Sequence, residues 1–452
     1  MLAAHTSAVL PRMPRSMEIF RRCKVHWKKR GTILTRRTAI IAALIHSRDG
    51  IVSRLSAVAR EALPADQRRF HDAVRAIRRR PVSGPFIVTM NGSPDLAARI
   101  AHLGHYFHSR GQADESILPL RVRAFIALVG ARALDAPYEW AAWVNWALEA
   151  RVPQDTVDVI REGRTPVSLT DEEALLARLC TELVSGSHRL SDATYSAALE
   201  RYGRQGIVEL VVTLGYFAMI AMPLNAFEME MSAEQKAGRK PFAPLEIKGS
   251  PYSDEGAGFF NPPPPAARAA VTRLPLRASH EDVAPEHQHF LDRIVRTRGW
   301  IAPLFQVLLH TPDVAERIAH LGAFLLYDGS LSAETRLLVG LIAAQELDCD
   351  YVRSACSGMA RCAGLEDVFG TAIANGGSPA GTADHRLLLS FCHALLRGNH
   401  HVSEAVYRDC VARLGMAATV QVSVLLGYCV MAALVANAFG ITSGADQDRP
   451  LL

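Results

Sequence analysis

The 452-residue chain lacks the cysteine spacings that mark redox and zinc motifs, and it is poor in aromatic residues. Its eight cysteines include no CxxC pair and no zinc-knuckle spacing, and aromatic residues make up 7% of the chain. A chain of this size does not need disulfide bonds for stability, so we expect most thiols to be buried in a reducing compartment. The sequence therefore predicts a cytoplasmic protein and argues against a secreted one that disulfides hold together.

No run of five or more residues alternates convincingly between polar and apolar, so we predict no β-sheet. Apolar residues recur instead every three or four positions, as in LAARIAHLGHYF and RVRAFIALVGARAL, which is typical of amphipathic helices. Thr170 and Ser191, each followed by an acid, are suitable N-caps, and Gly203 and Gly415 lie where C-caps belong. The sequence predicts an all-α fold.

Acidic residues are scarce near the N-terminus, where residues 1–60 contain 13 Lys or Arg and two acids. Because the whole chain has a net charge of +5, the remainder carries about −6, and we expect the globular part to bind no nucleic acid. We interpret residues 1–61 as a basic extension without fixed structure. A targeting peptide, or an arm that touches membrane or nucleic acid, is the alternative.

The chain contains an internal repeat. PDLAARIAHLG in the first half matches PDVAERIAHLG in the second at an offset of 218 residues. The offset is 213 between Tyr138 and Tyr351, and 212 between the two NAF segments near the ends of the copies. Ordered matches of this kind indicate a tandem duplication.

A segment rich in proline and glycine, GSPYSDEGAGFFNPPPPAARAA, separates the two copies and cannot form a long helix. The repeat and this segment together set the predicted boundaries. In chain order we predict an extension, a first domain, a linker, a second domain and a tail, at 1–61, 62–230, 231–280, 281–441 and 442–452.

The last helix of each copy, Ile207–Ile220 and Val420–Ala436, is long and apolar. The first contains Glu209 and runs into Pro223, and the second contains Gln421. A buried helix at a domain or subunit interface accounts for these residues better than a spanning helix does. We predict no membrane span.

At the centre of each copy, an apolar helix is followed by a tight break and a second helix that begins with Tyr. The stretches are DAPYEWAAWVNWA, which contains Tyr138, and DCDYVRSACSGMA, which contains Tyr351. With the later segments TYSAALERYG and LGYFAMIAMPLNAF, this arrangement resembles the carboxymuconolactone decarboxylase family and its wider group, the alkylhydroperoxidase D-like (AhpD-like) fold.

The resemblance implies two AhpD-like helical-bundle domains that pack as an internal pseudo-dimer. It also implies a small-molecule substrate, no metal or organic cofactor, and assembly into homo-oligomers through helix packing. The chain departs from the family where decarboxylase-type members have a His in YEWxxH: that position is Trp143 in the first copy and Cys356 in the second. Val352 and Arg353 also replace the Glu and Trp of YEW in the second copy. Much of the family's proton-transfer equipment is therefore missing.

Tyr138 and Glu139 are the first candidates for catalysis, because they begin the second helix of the first copy. Glu139 is either a general acid or base that orients or protonates substrate, or a first-turn acid that the helix dipole stabilises. Tyr138 and Tyr351 recur at one place, where a packed Tyr with a bonded hydroxyl is the alternative to a functional one.

Several further residues are candidates for a substrate pocket. Trp143 and Cys356 either line it or fill the core. His102 and His320 recur in the two IAHLG segments, where a hydrogen-bonded structural His is the alternative to a base. His102, His105 and His108 follow one another at three-residue steps, a spacing that could suit a metal. The second copy has Ala323 and Leu326 in place of the last two, so we predict no metal site.

Cys349 is the candidate for peroxide chemistry, because it aligns with the first thiol of the CxxC in the family's peroxidase branch. It begins a helix, where the dipole can lower the pKa of a thiol. The second position is Val352, and Cys356 lies ~10.5 Å further along the helix axis. A disulfide needs Cα atoms within ~7 Å, so only a reaction with an external thiol is available.

The leading interpretation is a carboxymuconolactone decarboxylase-like enzyme that acts on a small lactone or carboxylate by acid–base chemistry, with the first copy the more competent. The first alternative is a peroxiredoxin-like reaction through Cys349. The second is a non-catalytic descendant that binds a ligand or a partner.

Overall fold

The computed structural model describes residues 53–108, 116–163, 169–231, 271–365 and 382–443. Within these ranges all regular structure is helical and no strand occurs, which confirms the predicted all-α fold. The remainder of the predicted extension, linker and tail lies outside the described residues, at 1–52, 232–270 and 444–452.

The described part of the first half forms eight α-helices. They are α1 (Arg68–Arg78), α2 (Pro85–Gly92), α3 (Pro94–His108), α4 (Leu120–Ala133), α5 (Pro137–Glu149), α6 (Gln154–Glu162), α7 (Asp171–Val184) and α8 (Asp192–Ala226). The described part of the second half forms eight more. They are α9 (Gln288–Arg298), α10 (Pro303–Leu308), α11 (Pro312–Ala323), α12 (Ala333–Glu346), α13 (Asp350–Ala363), α14 (Ala383–Leu396), α15 (Glu404–Leu414) and α16 (Met416–Phe439).

The helices follow one order in both halves. Helices α1 to α5 match α9 to α13, α7 matches α14, and α8 matches α15 and α16 together. A π-helical turn, Phe324–Asp328, follows α11. The chain that would match α6 falls in 366–381, outside the described residues. The helix order agrees with the repeat in the sequence.

Local sequence signals set several helix ends. The Thr170 hydroxyl accepts a hydrogen bond from the backbone N–H of Glu173 at 3.2 Å, and the Glu173 carboxylate accepts from the backbone N–H of Thr170, which is a capping box. Ser191 caps α8 through the N–H of residue 194. Gly203 interrupts α8 at φ 67°, and Gly415 separates α15 from α16 at φ 84°, a conformation that suits glycine. All four predicted caps are confirmed.

The two longest helices, α8 and α16, pack against each other in the core. Both are long and apolar enough to cross a membrane, but their most apolar stretches are almost entirely buried in protein. Each helix places a glycine against the other: a Cβ at Gly215 would lie 2.7 Å from Met431, and one at Gly427 would lie 2.5 Å from the backbone oxygen of Met219. Because core helices share this composition, the absence of a span stays a prediction.

Contacts between the two halves occur in matching pairs. Arg189 donates from Nη2 to the carboxylate of Asp348 at 2.8 Å. At the matching positions, His401 lies with Nε2 3.2 Å from the backbone oxygen of Asp135. Each half therefore contacts the tight turn that precedes the central helix (α5 or α13) of the other half.

Arg54 and Arg273 precede the two halves, and each reaches across to the other half. Arg54 donates from Nη2 to the backbone oxygen of Val402 at 2.8 Å, and Arg273 donates from Nη1 to that of Leu190 at 2.9 Å. Residues 53–61 are thus part of the packed structure, so the packed chain begins ahead of the predicted boundary at residue 62.

Candidate functional site

Tyr138, Glu139 and Trp143 lie together on the first turns of α5. Asp135 reverses the chain at φ 45°, and Pro137 begins the helix at its first position, where proline is favoured. Trp143 follows Glu139 by one turn. All three side chains are buried, and Glu139 is only 6% exposed. The fold thus takes a carboxyl group out of water at the place where the sequence predicts chemistry.

Burial raises the pKa of Glu139 to about 7. Two neighbours act in the opposite direction: the positive charge of Arg78, and a hydrogen bond with the side chain of Trp143. A carboxyl group with a pKa near neutrality is present in both its protonated and its ionised form at neutral pH. Glu139 can therefore give up a proton and take one back, as a general acid or base must.

Arg78 brings a positive charge to this site from the end of α1. Its Nη1 lies 3.5 Å from the backbone oxygen of Ser83 and 3.4 Å from its hydroxyl, and the guanidinium lies 4.2 Å from the ring centre of Phe86. Burial lowers the pKa of Arg78 to about 10, so the group stays charged at neutral pH. Among the described residues, Arg78 and Glu139 form no direct ion pair, but the positive charge of Arg78 acts to lower the pKa of Glu139.

Gly84 lets the loop between α1 and α2 approach Tyr138 closely. The glycine has φ 58°, and a Cβ there would lie 2.7 Å from the Tyr138 ring and its hydroxyl. The Tyr138 hydroxyl is hydrogen-bonded with the side chain of Ser83, and burial raises the pKa of Tyr138. The loop that carries Ser83 is thereby fixed beside both Arg78 and Tyr138.

Four ring side chains, which we call the aromatic wall, pack together: His108, Trp143, Trp146 and Tyr216. Two of them adjoin Glu139, since Trp143 is hydrogen-bonded with it and its charge acts on Tyr216. The centre of the His108 ring lies 5.3 Å from that of Trp143, 5.8 Å from that of Trp146 and 5.9 Å from that of Tyr216. His108 donates from Nδ1 to the backbone oxygen of Gly104 at 2.7 Å. Burial lowers the pKa of His108 to about 3, so its ring is neutral.

Sequence reasoning did not identify Arg78 or Tyr216 as part of this site, and it considered His108 only as a metal ligand. Arg78 had a usable signal, because Arg298 ends α9 at the matching place in the repeat. Tyr216 had one too, since Tyr428 repeats it in the second LGY segment. Neither signal says that these side chains meet Glu139, which is distant from them in the chain.

The second half contains a matching cluster, and among its described residues no carboxylate takes the place of Glu139. Arg298 donates from Nη2 to the backbone oxygen of Ala319 at 3.0 Å and to the Tyr428 hydroxyl at 3.3 Å. The Tyr351 hydroxyl accepts from a backbone N–H of α10 at 3.2 Å, as a packed tyrosine does. Val352, which replaces the glutamate, is fully buried. Of the predicted pocket residues, Tyr351 belongs to this cluster rather than to that of Glu139, and Cys356 follows Val352 by one turn of α13.

Cys349 is the N-cap of α13, as predicted, but its pKa moves in the direction opposite to the expected one. Burial raises the pKa of Cys349 to about 11, although the backbone N–H groups of Tyr351 and Val352 act to lower it. Burial also raises the pKa of Cys356 to about 12. The expectation of a lowered thiol pKa was wrong, because the loss of solvent outweighs the helix N-terminus. Both thiols are free.

His102 and His320 lie with each other in the contact between α3 and α11, and their ring centres are 6.5 Å apart. His102 Nε2 is 3.8 Å from a carboxylate oxygen of Glu316, and Arg99 Nη1 is 2.9 Å from Nε2 of His320. Arg317, which matches Arg99, bonds to the backbone oxygen of His102. These contacts join the two halves, so the structure assigns both histidines to that interface; their role in a pocket stays a prediction.

Within the described ranges, no group of three or more His, Cys, Asp or Glu side chains is arranged to hold a metal ion. Comparisons of the chain with models of known protein families, with curated proteins and with solved structures found no match.

Proposed function

We propose that the chain is a carboxymuconolactone decarboxylase-like enzyme, built from two AhpD-like units that pack as a pseudo-dimer. Its first half would act on a small unsaturated carboxylate or lactone. The repeat in the sequence, the common helix order and the matching contacts between the halves support the two-unit fold. Further assembly into homo-oligomers through helix packing is part of the same proposal.

The observation that carries the proposed activity is the buried carboxyl group of Glu139 with its pKa of about 7. The family's usual histidine is missing, so a proton donor has to come from another group. Glu139 is placed in the first turn of the central helix and keeps a proton available at neutral pH. The matching position in the second half is Val352, so the activity is assigned to the first half alone.

In the proposed reaction, the bond between the substrate's carboxylate carbon and the ring breaks and CO₂ leaves. The electron pair of that bond stays on the substrate as a dienolate. Protonated Glu139 then transfers its proton to the dienolate carbon, and the resulting carboxylate regains a proton from water. Among the described residues, Arg78 supplies a positive charge that stabilises the ionised form of Glu139 after the transfer.

The alternative through Cys349 is supported less well, because its buried thiol has a pKa of about 11 and is scarcely ionised at neutral pH. We therefore do not advance peroxide reduction as a second function. It is tested directly by the same experiment.

The test is an assay of purified protein with 4-carboxymuconolactone and related lactone acids, in wild type and Glu139→Gln. We expect the substitution to lower turnover by about 10²-fold or more, because an amide cannot transfer a proton. Glu149→Gln, at the exposed end of the same helix, is the matched control and should keep full turnover.

A second arm measures hydroperoxide reduction with a dithiol in wild type and Cys349→Ser. Peroxide turnover that only Cys349→Ser abolishes would replace our proposal with a one-cysteine peroxidase. If wild type turns over no substrate in either arm, the proposal of an enzyme is overturned in favour of a binding protein.

A further inference from the structure

The guanidinium of Arg78 lies near Tyr138 and Glu139, and it forms no direct ion pair with the Glu139 carboxylate. Its long contacts with Ser83, 3.4 and 3.5 Å, are at the limit of hydrogen bonding. It remains charged at neutral pH, and it shares its surroundings with Glu139 and Tyr216. A partly buried guanidinium in this state is suited to bind a carboxylate, which can accept two parallel hydrogen bonds from it.

The aromatic wall is the second feature of this cluster that suits a ligand. Trp143 and Trp146 stand with ring centres 4.8 Å apart, and both pack against His108. The exposed Arg80 lies 5.9 Å from the ring centre of Trp146, so a second positive charge lies at the outer edge of the wall. Flat apolar rings beside fixed positive charge favour a ligand with a flat body and an anionic end.

The second half shows what the same guanidinium does when it has no such role. Arg298 is bound to a backbone oxygen and to the Tyr428 hydroxyl, and a Cβ at Gly322 would lie 2.3 Å from its Nη2. Cys356 stands where the first half has Trp143. The second half has thus lost the wall and has turned its arginine into a packing residue.

We infer that Arg78 binds a carboxylate of an unsaturated or aromatic acid whose flat body rests on the aromatic wall. Arg78 is therefore a specificity-determining residue that sets the charge and shape of the substrate. This inference rests on the proposed function, since it places the substrate beside Glu139. Binding can nevertheless be measured without any turnover.

The experiment is isothermal titration calorimetry of the full chain at pH 6 with trans-cinnamate and with its neutral amide, trans-cinnamamide. In wild type we expect cinnamate to bind at least about tenfold more tightly than the amide, as for a hydrogen bond to a charged group. In Arg78→Gln the two affinities should agree within about twofold. Arg75→Gln, an exposed arginine one turn earlier on α1, should keep the wild-type preference.

Three results would overturn the inference: no binding of cinnamate to wild type, equal affinities in wild type, or an unchanged preference in Arg78→Gln. If Arg78→Gln does not fold, Arg78→Lys decides, because lysine keeps the charge without the planar fork. We then expect Arg78→Lys to weaken the binding of cinnamate but not of cinnamamide. An equal loss of affinity for both ligands would contradict the inference. A preserved preference for cinnamate without any lactone turnover would overturn the proposed function but leave this inference standing.

Discussion

The two halves of the molecule place an arginine and two tyrosines in matching positions. In the part of the chain that the structure describes, the first half alone adds a carboxylate and an aromatic wall. In the first half, Arg78 lies near Glu139 and forms only long hydrogen bonds with Ser83. In the second, Arg298 is held by the Tyr428 hydroxyl and a backbone oxygen. One pattern of helices thus serves once as a polar site and once as a core.

The difference shows that few substitutions separate a buried polar cluster from an apolar core. Where the first half has Glu139, the second has Val352, which cannot exchange a proton. Where the first half has Trp143, the second has Cys356, so one ring of the wall is missing. The helices that carry these residues begin and end in the same way. The backbone is therefore the shared part, and the chemistry lies in two or three side chains.

The largest effect is expected when the second half receives the acid that the first half has at this position, by the substitution Val352→Glu. Val352 is 0% exposed, and Arg298 already has two acceptors. We expect the substitution to lower the free energy of unfolding by about 3–5 kcal/mol at pH 8, because the new charge is buried without a partner. Urea denaturation would measure it, with Val352→Gln as the uncharged control of similar size. If Glu costs no more than Gln, the second half accepts an acid as readily as the first does.

The pH dependence of stability tests Glu139 itself. Its pKa rises from the usual 4.5 to about 7 on folding, so between these values the folded state holds a proton that the unfolded state has released. Stability must therefore fall as pH rises through this window, by about 3 kcal/mol in full. Below pH 4.5 the carboxyl is protonated in both states and contributes no slope.

Glu139→Gln should remove this slope. The difference in the free energy of unfolding between the variant and wild type should therefore grow by about 3 kcal/mol from pH 4.5 to pH 8, in favour of the variant. Urea denaturation at the two pH values measures it, and Glu149→Gln, which is exposed, should show no such change. A constant difference between variant and wild type would mean that Glu139 is ionised normally in the folded protein.

The all-α fold and its helix ends could be predicted because their causes are local. Apolar residues at 3.6-residue spacing specify a helix wherever it packs, and Thr170, Ser191, Gly203 and Gly415 act on the turns next to them. The tight break before α5 is similarly local, since Asp135 takes up the left-handed conformation there. These features do not depend on what the rest of the chain does.

The composition of the site could not be predicted in full, because it depends on contacts between distant parts of the chain. The sequence placed Glu139 and Cys349 correctly at helix starts. Burial then raised the pKa of both groups, which favours proton transfer by Glu139 and disfavours the thiolate of Cys349. The approach of Arg78 from α1 also requires the folded loop that Gly84 permits.

A smaller effect is expected at Gly340, where the second half has glycine and the first has Ala127. A Cβ at Gly340 would lie 2.7 Å from Sγ of Cys356, so Gly340→Ala should overpack the core by more than the added helix propensity returns, a net loss of about 1 kcal/mol. Combined with Cys356→Ala, the substitution should cost less than it does alone, since the clashing sulfur is gone. Urea denaturation of the two single variants and the double variant measures this coupling.

The reverse change at the matching position, Ala127→Gly, is the control for helix propensity and should cost about 1 kcal/mol with no clash to relieve. If the Gly340→Ala and Cys356→Ala effects simply add, the sulfur does not explain the glycine. The two halves would then differ at this position for a reason other than the replacement of Trp143.

The smallest predicted difference is the difference in reactivity between two thiols of α13. Cys349 is 0% exposed and has a pKa of about 11, whereas Cys362, near the other end of the helix, is exposed. Iodoacetamide at pH 7.5 should therefore modify Cys362 while Cys349 stays unmodified until the protein is unfolded, as peptide mass spectrometry would show. Modification of Cys349 at the rate of Cys362 in the folded protein would mean that the second half also presents a reactive group. The contrast between a polar first half and a packed second half would then fail at the residue where the sequence first suggested thiol chemistry.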